Sequence, residues 1–131
     1  MIKLFIGGKG SGKTKALIEL VNNAANTTRG SVVCIEKGDK LKLDITYKAR
    51  LIDSDCYAIT NAQALYGFIS GILASNNDIT DIFVDGALKI CDVEGLLSIL
   101  PKLENVVKDV NLVMTASIPV EECPEGIKKF A

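Results

Sequence analysis

Ile2-Lys3-Leu4-Phe5-Ile6 is a short β-prone run, and it leads straight into Gly7-Gly8-Lys9-Gly10-Ser11-Gly12-Lys13-Thr14. Residues 13–25 follow with Ala16, Leu17, Leu20, Val21 and Ala24 at helical spacing, so one face of a helix packs on a sheet. A strand, a glycine-rich turn and a helix in immediate succession leave few architectures open, because the helix must fold back over the sheet that holds the strand. The order of the remaining segments agrees. Ser31–Ile35 reads as a buried strand ending at Glu36, and Ile79 to Asp85 and Asn111 to Ile118 read as two more. The order β-α-β-(β)-β-α-β-α-β predicts a single α/β domain over residues 1–131, a three-layer sandwich around a mostly parallel sheet.

The segments between these strands are less regular. Leu41, Leu43, Ile45, Tyr47, Ala49 and Leu51 alternate with polar residues, which predicts a strand or irregular hairpin over 41–52 with one wet face. Tyr57-Ala58-Ile59 is a candidate short core strand. Thr60-x-x-Gln63 has the form of a capping box, with Leu65, Phe68, Ile69, Ile72 and Leu73 as the buried stripe of the helix it opens. Asp92 caps a further helix running to about Val110, which Pro101 is expected to kink or split. Pro119 and Pro124 frame a tail that closes as a helical turn.

The spacing of Gly7, Gly12, Lys13 and Thr14 is G-x-x-x-x-G-K-S/T, the phosphate-binding loop, in the strand-to-helix context that the motif needs. The glycines let the backbone turn tightly and aim successive N–H groups at a polyphosphate. The helix that starts near Lys13 adds its positive dipole end. Gly7, Gly8, Lys9, Gly10, Ser11, Gly12, Lys13 and Thr14 are therefore the expected nucleotide-binding residues. Lys13 would reach the β- and γ-phosphates, and the Thr14 hydroxyl would hold Mg²⁺.

Such a loop needs an acidic residue at the tip of a neighbouring hydrophobic strand to hold the metal, and Ile82-Phe83-Val84-Asp85 supplies Asp85. Asp85 is followed by Gly86, where many ATPases place a water-activating glutamate. Either hydrolysis is weak or the base comes from elsewhere. Glu36, at the end of the second strand, is the candidate base, since ligands of open α/β sheets sit at such strand ends; an ordinary solvated turn residue is the competing reading. The expected cofactors are ATP and Mg²⁺. ATP is placed ahead of GTP because no Asn-Lys-x-Asp guanine-reading motif is present.

Gly-x4-Gly-Lys-Thr, then Val33-Cys34-Ile35-Glu36, then Ile82-Phe83-Val84-Asp85-Gly86, resembles the core of RecA-like ATPases, within the P-loop NTPases. The resemblance implies that a glutamate ending the second strand serves as base, and that the magnesium aspartate need not be followed by Glu. It also implies that the polar tip of the last strand senses the γ-phosphate, a role for Thr115 or Ser117. Ser11-Gly12-Lys13-Thr14 followed by Leu17-Ile18-Glu19-Leu20 is similar, more weakly, to zinc-bearing thymidine kinases, whose Asp-Glu pair and cysteine ribbon are missing here.

Composition narrows the partners. Histidine is absent, which excludes His acid–base catalysis, His-ligated zinc and a serine triad. Net charge is −1 and tryptophan is absent, which argues against nucleic acid or an anionic membrane surface as main partner. Cys34, Cys56, Cys91 and Cys123 contain no C-x-x-C pair and read as reduced structural thiols. No run is long and apolar enough to span a membrane, and no charged leader precedes one, so a soluble cytoplasmic protein is expected. Lys37, Lys40, Lys42, Lys48 and Arg50 outnumber Asp39 and Asp44 between positions 37 and 50. Arg50 could act across a subunit interface, as arginines do in phosphoryl transfer, though a solvated strand face accounts for the same charges. A protein partner or a homo-oligomer thus stays open. Three functions follow: a slow ATPase with Glu36 as base, a nucleotide-dependent regulatory or accessory protein that barely hydrolyses, and a small-molecule kinase of nucleoside type. The kinase ranks last, since the chain has only Arg29 and Arg50 to furnish an arginine-rich lid.

Overall fold

Near-continuous burial along the central strands sets the architecture. The structure is a computed structural model that describes every residue from Met1 to Ala131. Five strands, β1 (Ile2–Gly7), β2 (Ser31–Glu36), β3 (Arg50–Asp53), β4 (Ile79–Asp85) and β5 (Asn111–Ser117), form one sheet in the order β1-β5-β4-β2-β3. All four pairings are parallel; the one antiparallel contact is an isolated bridge between Gly7 and Ile118. Parallel neighbours require crossovers; turns over 37–49 link β2 to β3, and helices make the other connections. The helices are α1 (Lys13–Thr27), α2 (Ala62–Ser75), the single-turn α3 (Ala87–Ile90) and α4 (Val93–Val107), with the short α5 (Glu125–Lys128) following the last strand.

The sheet is buried on both faces, which is why its central strands read as continuous apolar runs. Val32, Cys34, Phe83 and Val113 point to one face, where they meet Leu17, Val21 and Ala25 of α1. Val33, Ile35, Ile82, Val84, Leu112 and Met114 point to the other, where Leu65 and Ile69 of α2 and Leu96, Ile99, Leu100 and Leu103 of α4 close a larger core. The protein is thus an α/β domain with helices on both sides of an all-parallel sheet. No helix is long and apolar enough to cross a membrane.

Four local expectations are corrected. The alternating segment 41–52 is not a strand over most of its length: it forms successive turns, and only Arg50–Asp53 pairs with β2. Leu41, Ile45 and Ala49 are buried against α1, while Leu43 and Tyr47 are 96 % and 91 % exposed. A spacing of four satisfies a two-residue period and a turn-by-turn period equally, so the pattern was ambiguous. Asn22 of α1 decides it: its side chain donates to the Asp44 carbonyl and accepts from the Thr46 N–H, clamping the turns to the helix. Tyr57-Ala58-Ile59 forms no strand: Tyr57 ends a 3-10 turn over Ser54–Tyr57, and Ala58 caps it at φ 56°. The cap of α2 is Asn61, not Thr60; its Oδ1 accepts from the Ala64 N–H at 2.8 Å. Pro101 does not split α4, which runs unbroken over Val93–Val107; the fully buried stripe from Leu96 to Leu103 holds both halves to the sheet.

Candidate functional site

β1 ends at Gly7, and the chain turns through residues 8–12 into α1. Gly10 and Gly12 have φ of 79° and 84°, a left-handed conformation that a side chain would strain. Gly12 is also the N-cap of α1 and offers no side-chain acceptor; the first turn of the helix holds no carboxylate either. By contrast, α2 and α4 are capped by Asn61 and Asp92. The first amides of α1 therefore carry their positive end to the surface without an internal partner, a surface suited to an anion. Lys13 folds back over the loop, its Nζ donating to the Gly8 carbonyl at 2.8 Å and to Ser11 Oγ at 3.2 Å.

The sheet brings the other candidates to the same edge. β5 lies between β1 and β4, and register aligns Phe5 with Thr115 and Gly7 with Ser117 on one side, and Val84 with Met114 on the other. Across the next pair Glu36 stands opposite Asp85. Asp85 Oδ1 accepts from two hydroxyls, Thr14 Oγ1 at 3.1 Å and Thr115 Oγ1 at 3.0 Å. Thr115 Oγ1 in turn accepts from the Gly86 N–H at 2.7 Å. Thr14 and Asp85, 71 positions apart, are thereby joined at the foot of the glycine-rich loop. A hydroxyl beside a carboxylate, with anion-directed amides above, is a donor set that fits a divalent cation carried by a phosphate. The two polar residues of β5 separate in role: Thr115 is buried and holds Asp85, whereas Ser117 is exposed on the cleft wall.

Glu36 is 2 % exposed, so it is not a solvated turn residue. Its Oε2 accepts from the Leu41 N–H at 2.9 Å, which ties the carboxylate to the turn segment that follows β2. Burial pushes its pKa above the usual carboxylate range; the Leu41 hydrogen bond opposes this, and the charge of Asp85 adds to it. A carboxylate with raised proton affinity at a strand end is equipped to take a proton. Arg50 does not reach this edge of its own sheet. It begins β3 three residues before Asp53, the partner of Glu36, and so stands about 10 Å back along the strand.

Of these residues Gly10, Gly12, Lys13, Thr14 and Ser117 line a cleft of about 600 Å³ that has no apolar side chain, whereas the buried Glu36, Asp85 and Thr115 do not line it. Five lysines converge on it: Lys9, Lys13 and Lys15 from the loop and α1, Lys40 from the turns after β2, and Lys89 from α3. Lys89 was not legible as a site residue; its only sequence signal is its position four after Asp85 on the element that leaves the strand tip. A second cavity of the same size lies at the opposite end of the sheet, where Phe5, Leu20, Phe83 and Val113 leave half its lining apolar. Only the first sits at the carboxyl ends of the strands, where parallel sheets bind ligands. Cys34, Cys91 and Cys123 are buried free thiols, and burial pushes Cys34 up to about 12; Cys56 is free and exposed. The chain matches no protein-family model and no curated protein.

Proposed function

We propose that the protein binds a nucleoside triphosphate with Mg²⁺ through a phosphate-binding loop at residues 7–14, and that it is a slow ATPase with a RecA-like core. The observation that carries this reading is the Thr14 Oγ1–Asp85 Oδ1 hydrogen bond, which joins the loop's hydroxyl to the strand-tip carboxylate. On this reading Thr14 and Asp85 would hold Mg²⁺, which would supply positive charge to offset that developing on the phosphates. Lys13 exchanges its contacts with Gly8 and Ser11 for phosphate oxygens. Ser117 reports on the terminal phosphate from the cleft wall. Glu36, with its raised proton affinity, orients water and accepts its proton.

A second reading is favoured by the contact between Glu36 and the Leu41 N–H. If the carboxylate stays engaged there, the protein binds nucleotide and barely hydrolyses it, and its output is a changed partner. Calorimetric binding of ATP with Mg²⁺ and turnover, measured on the wild type, Lys13→Ala and Glu36→Gln, test both. The ATPase reading expects Lys13→Ala to abolish binding and turnover, and Glu36→Gln to bind normally while turnover is lost. Binding without turnover in the wild type establishes the regulator. A wild-type chain that binds no nucleotide overturns both readings.

A further inference from the structure

Of the five cleft lysines, three belong to the loop and the first turn of α1, and Lys40 rides on the turns after β2. Lys89 differs in how it is held. Its aliphatic stem lies across Gly86: a Cβ at that position would sit 3.0 Å from Lys89 Cδ, 3.4 Å from Cγ and 3.5 Å from Cε. Gly86 has φ 73°, a backbone conformation that a side chain would strain. The stem thus lies beside the residue directly after Asp85, and Lys89 lines the cleft. Nothing else claims that charge. The two ion pairs of the protein are Lys37–Asp55 and Lys128–Glu125, both away from the cleft. The glycine found where a base was looked for has a use of its own: it makes room for a cation.

Resting on the nucleotide reading above, we infer that Lys89 is a catalytic residue that supplies, from within the same chain, the cation that stabilises a transferring γ-phosphoryl group. In the step, the oxygen of water bonds to the γ-phosphorus and the bond from that phosphorus to the β–γ bridging oxygen breaks. The electron pair leaves with ADP, and the proton lost by water passes to the Glu36 carboxylate. Lys89 keeps its proton throughout and neutralises charge on the equatorial oxygens. Phosphoryl transfer often draws this cation from an arginine on a neighbouring subunit. Here Arg50 is at the far end of β3, and Arg29 lies in the turn between α1 and β2. A cation already beside the strand tip needs little reorganisation when the charge develops.

The test uses the full chain as wild type, Lys89→Met, which keeps the stem over Gly86, and Lys89→Arg, which keeps the charge. Lys42→Ala, outside the cleft, controls for general loss of charge. Turnover is measured with calorimetric affinities for Mg-ADP alone and for Mg-ADP with aluminium fluoride, a mimic of the transferring phosphoryl group. Lys89→Met is expected to lower kcat about 100-fold, and to lose aluminium-fluoride-dependent tightening, while ADP affinity moves less than about 3-fold. Lys89→Arg should retain the tightening, and Lys42→Ala should match the wild type. The inference is overturned if Lys89→Met tightens like the wild type, or if ADP affinity falls as far as kcat does. It is overturned equally if the wild type itself binds ADP no tighter with aluminium fluoride. A wild type that binds no nucleotide removes the underlying reading, a result distinct from all of these.

Discussion

At the scale of single residues, Glu36 shows how a site can work against the fold that carries it. Its carboxyl is buried beside Asp85, and its proton affinity is raised in the folded chain. Between the unfolded pKa and the folded one, the native state therefore holds more protons than the unfolded state, and stability falls as pH rises through that window. The loss begins just above the ordinary value of 4.5 and persists once both states are ionised. Glu36→Gln keeps an oxygen for the Leu41 N–H and removes the charge. Its melting temperature should exceed that of the wild type at neutral pH, and the gap should close toward pH 4 as the wild-type carboxyl protonates. Thermal melts of both proteins across this range check it; a constant gap would assign the difference to something other than ionisation. Combined with the lost turnover expected above, the variant would be more stable and less active, a usual trade at catalytic positions. The candidate residues Lys13, Thr14, Asp85 and Glu36 were all legible in the sequence, since each is marked by a motif or by the end of an apolar run. Lys89 was not, because its position depends on the left-handed turn at Gly86 and on how a side chain lies over it.

At the scale of elements, legibility followed periodicity. β2, β4 and α1 begin and end where their apolar runs and flanking turns place them, give or take a turn of helix. Segment 41–49 went wrong because its decisive partner, Asn22, is a polar residue on another element, and hydrogen bonds between side chain and backbone leave no periodic trace. Pro101 is the other departure. It lacks the N–H that would bond four residues back, and its ring crowds the preceding turn, yet the helix continues through it. Pro101 is exposed, so its replacement costs no packing. Pro101→Ala restores the missing donor, at the expense of about 0.4–1 kcal/mol from a freer unfolded chain. The interior-proline penalty is about 3 kcal/mol, so a net gain of about 2–2.6 kcal/mol is expected. Urea titration should show the midpoint raised with an unchanged slope. A midpoint that stays put would mean that α4 has already relaxed around the proline.

At the scale of the whole molecule, strand order does what no local pattern could announce. A sequence gives the succession β1 to β5, but the order β1-β5-β4-β2-β3 is what sets Thr115 between the glycine-rich loop and Asp85, and Glu36 beside Asp85. The candidate site thus spans the carboxyl ends of four strands and the start of α1, and a ligand bound there would tie those ends together. Cys34 is the internal reporter of the sheet face beneath α1. It is fully buried beneath α1, two residues before Glu36, and its thiol is pushed up to about 12 by burial, with the charges of Asp85 and Glu36 adding to the effect. It can meet a thiol reagent only when the α1 face opens, whereas Cys56, exposed beyond β3, needs no opening. On the proposed reading, Mg-ATP binds the closed state alone and reduces the open population by one plus the ratio of ligand concentration to Kd. At a hundredfold excess over Kd, labelling of Cys34 should slow about 100-fold while that of Cys56 is unchanged. Mass spectrometry of the labelled chain at increasing nucleotide concentration resolves the two sites. Protection of Cys34 that tracks saturation would tie the loop to the sheet as one cooperative unit. Labelling indifferent to bound nucleotide would show that the α1 face opens without disturbing the loop, and the tie across four strands would have to be given up.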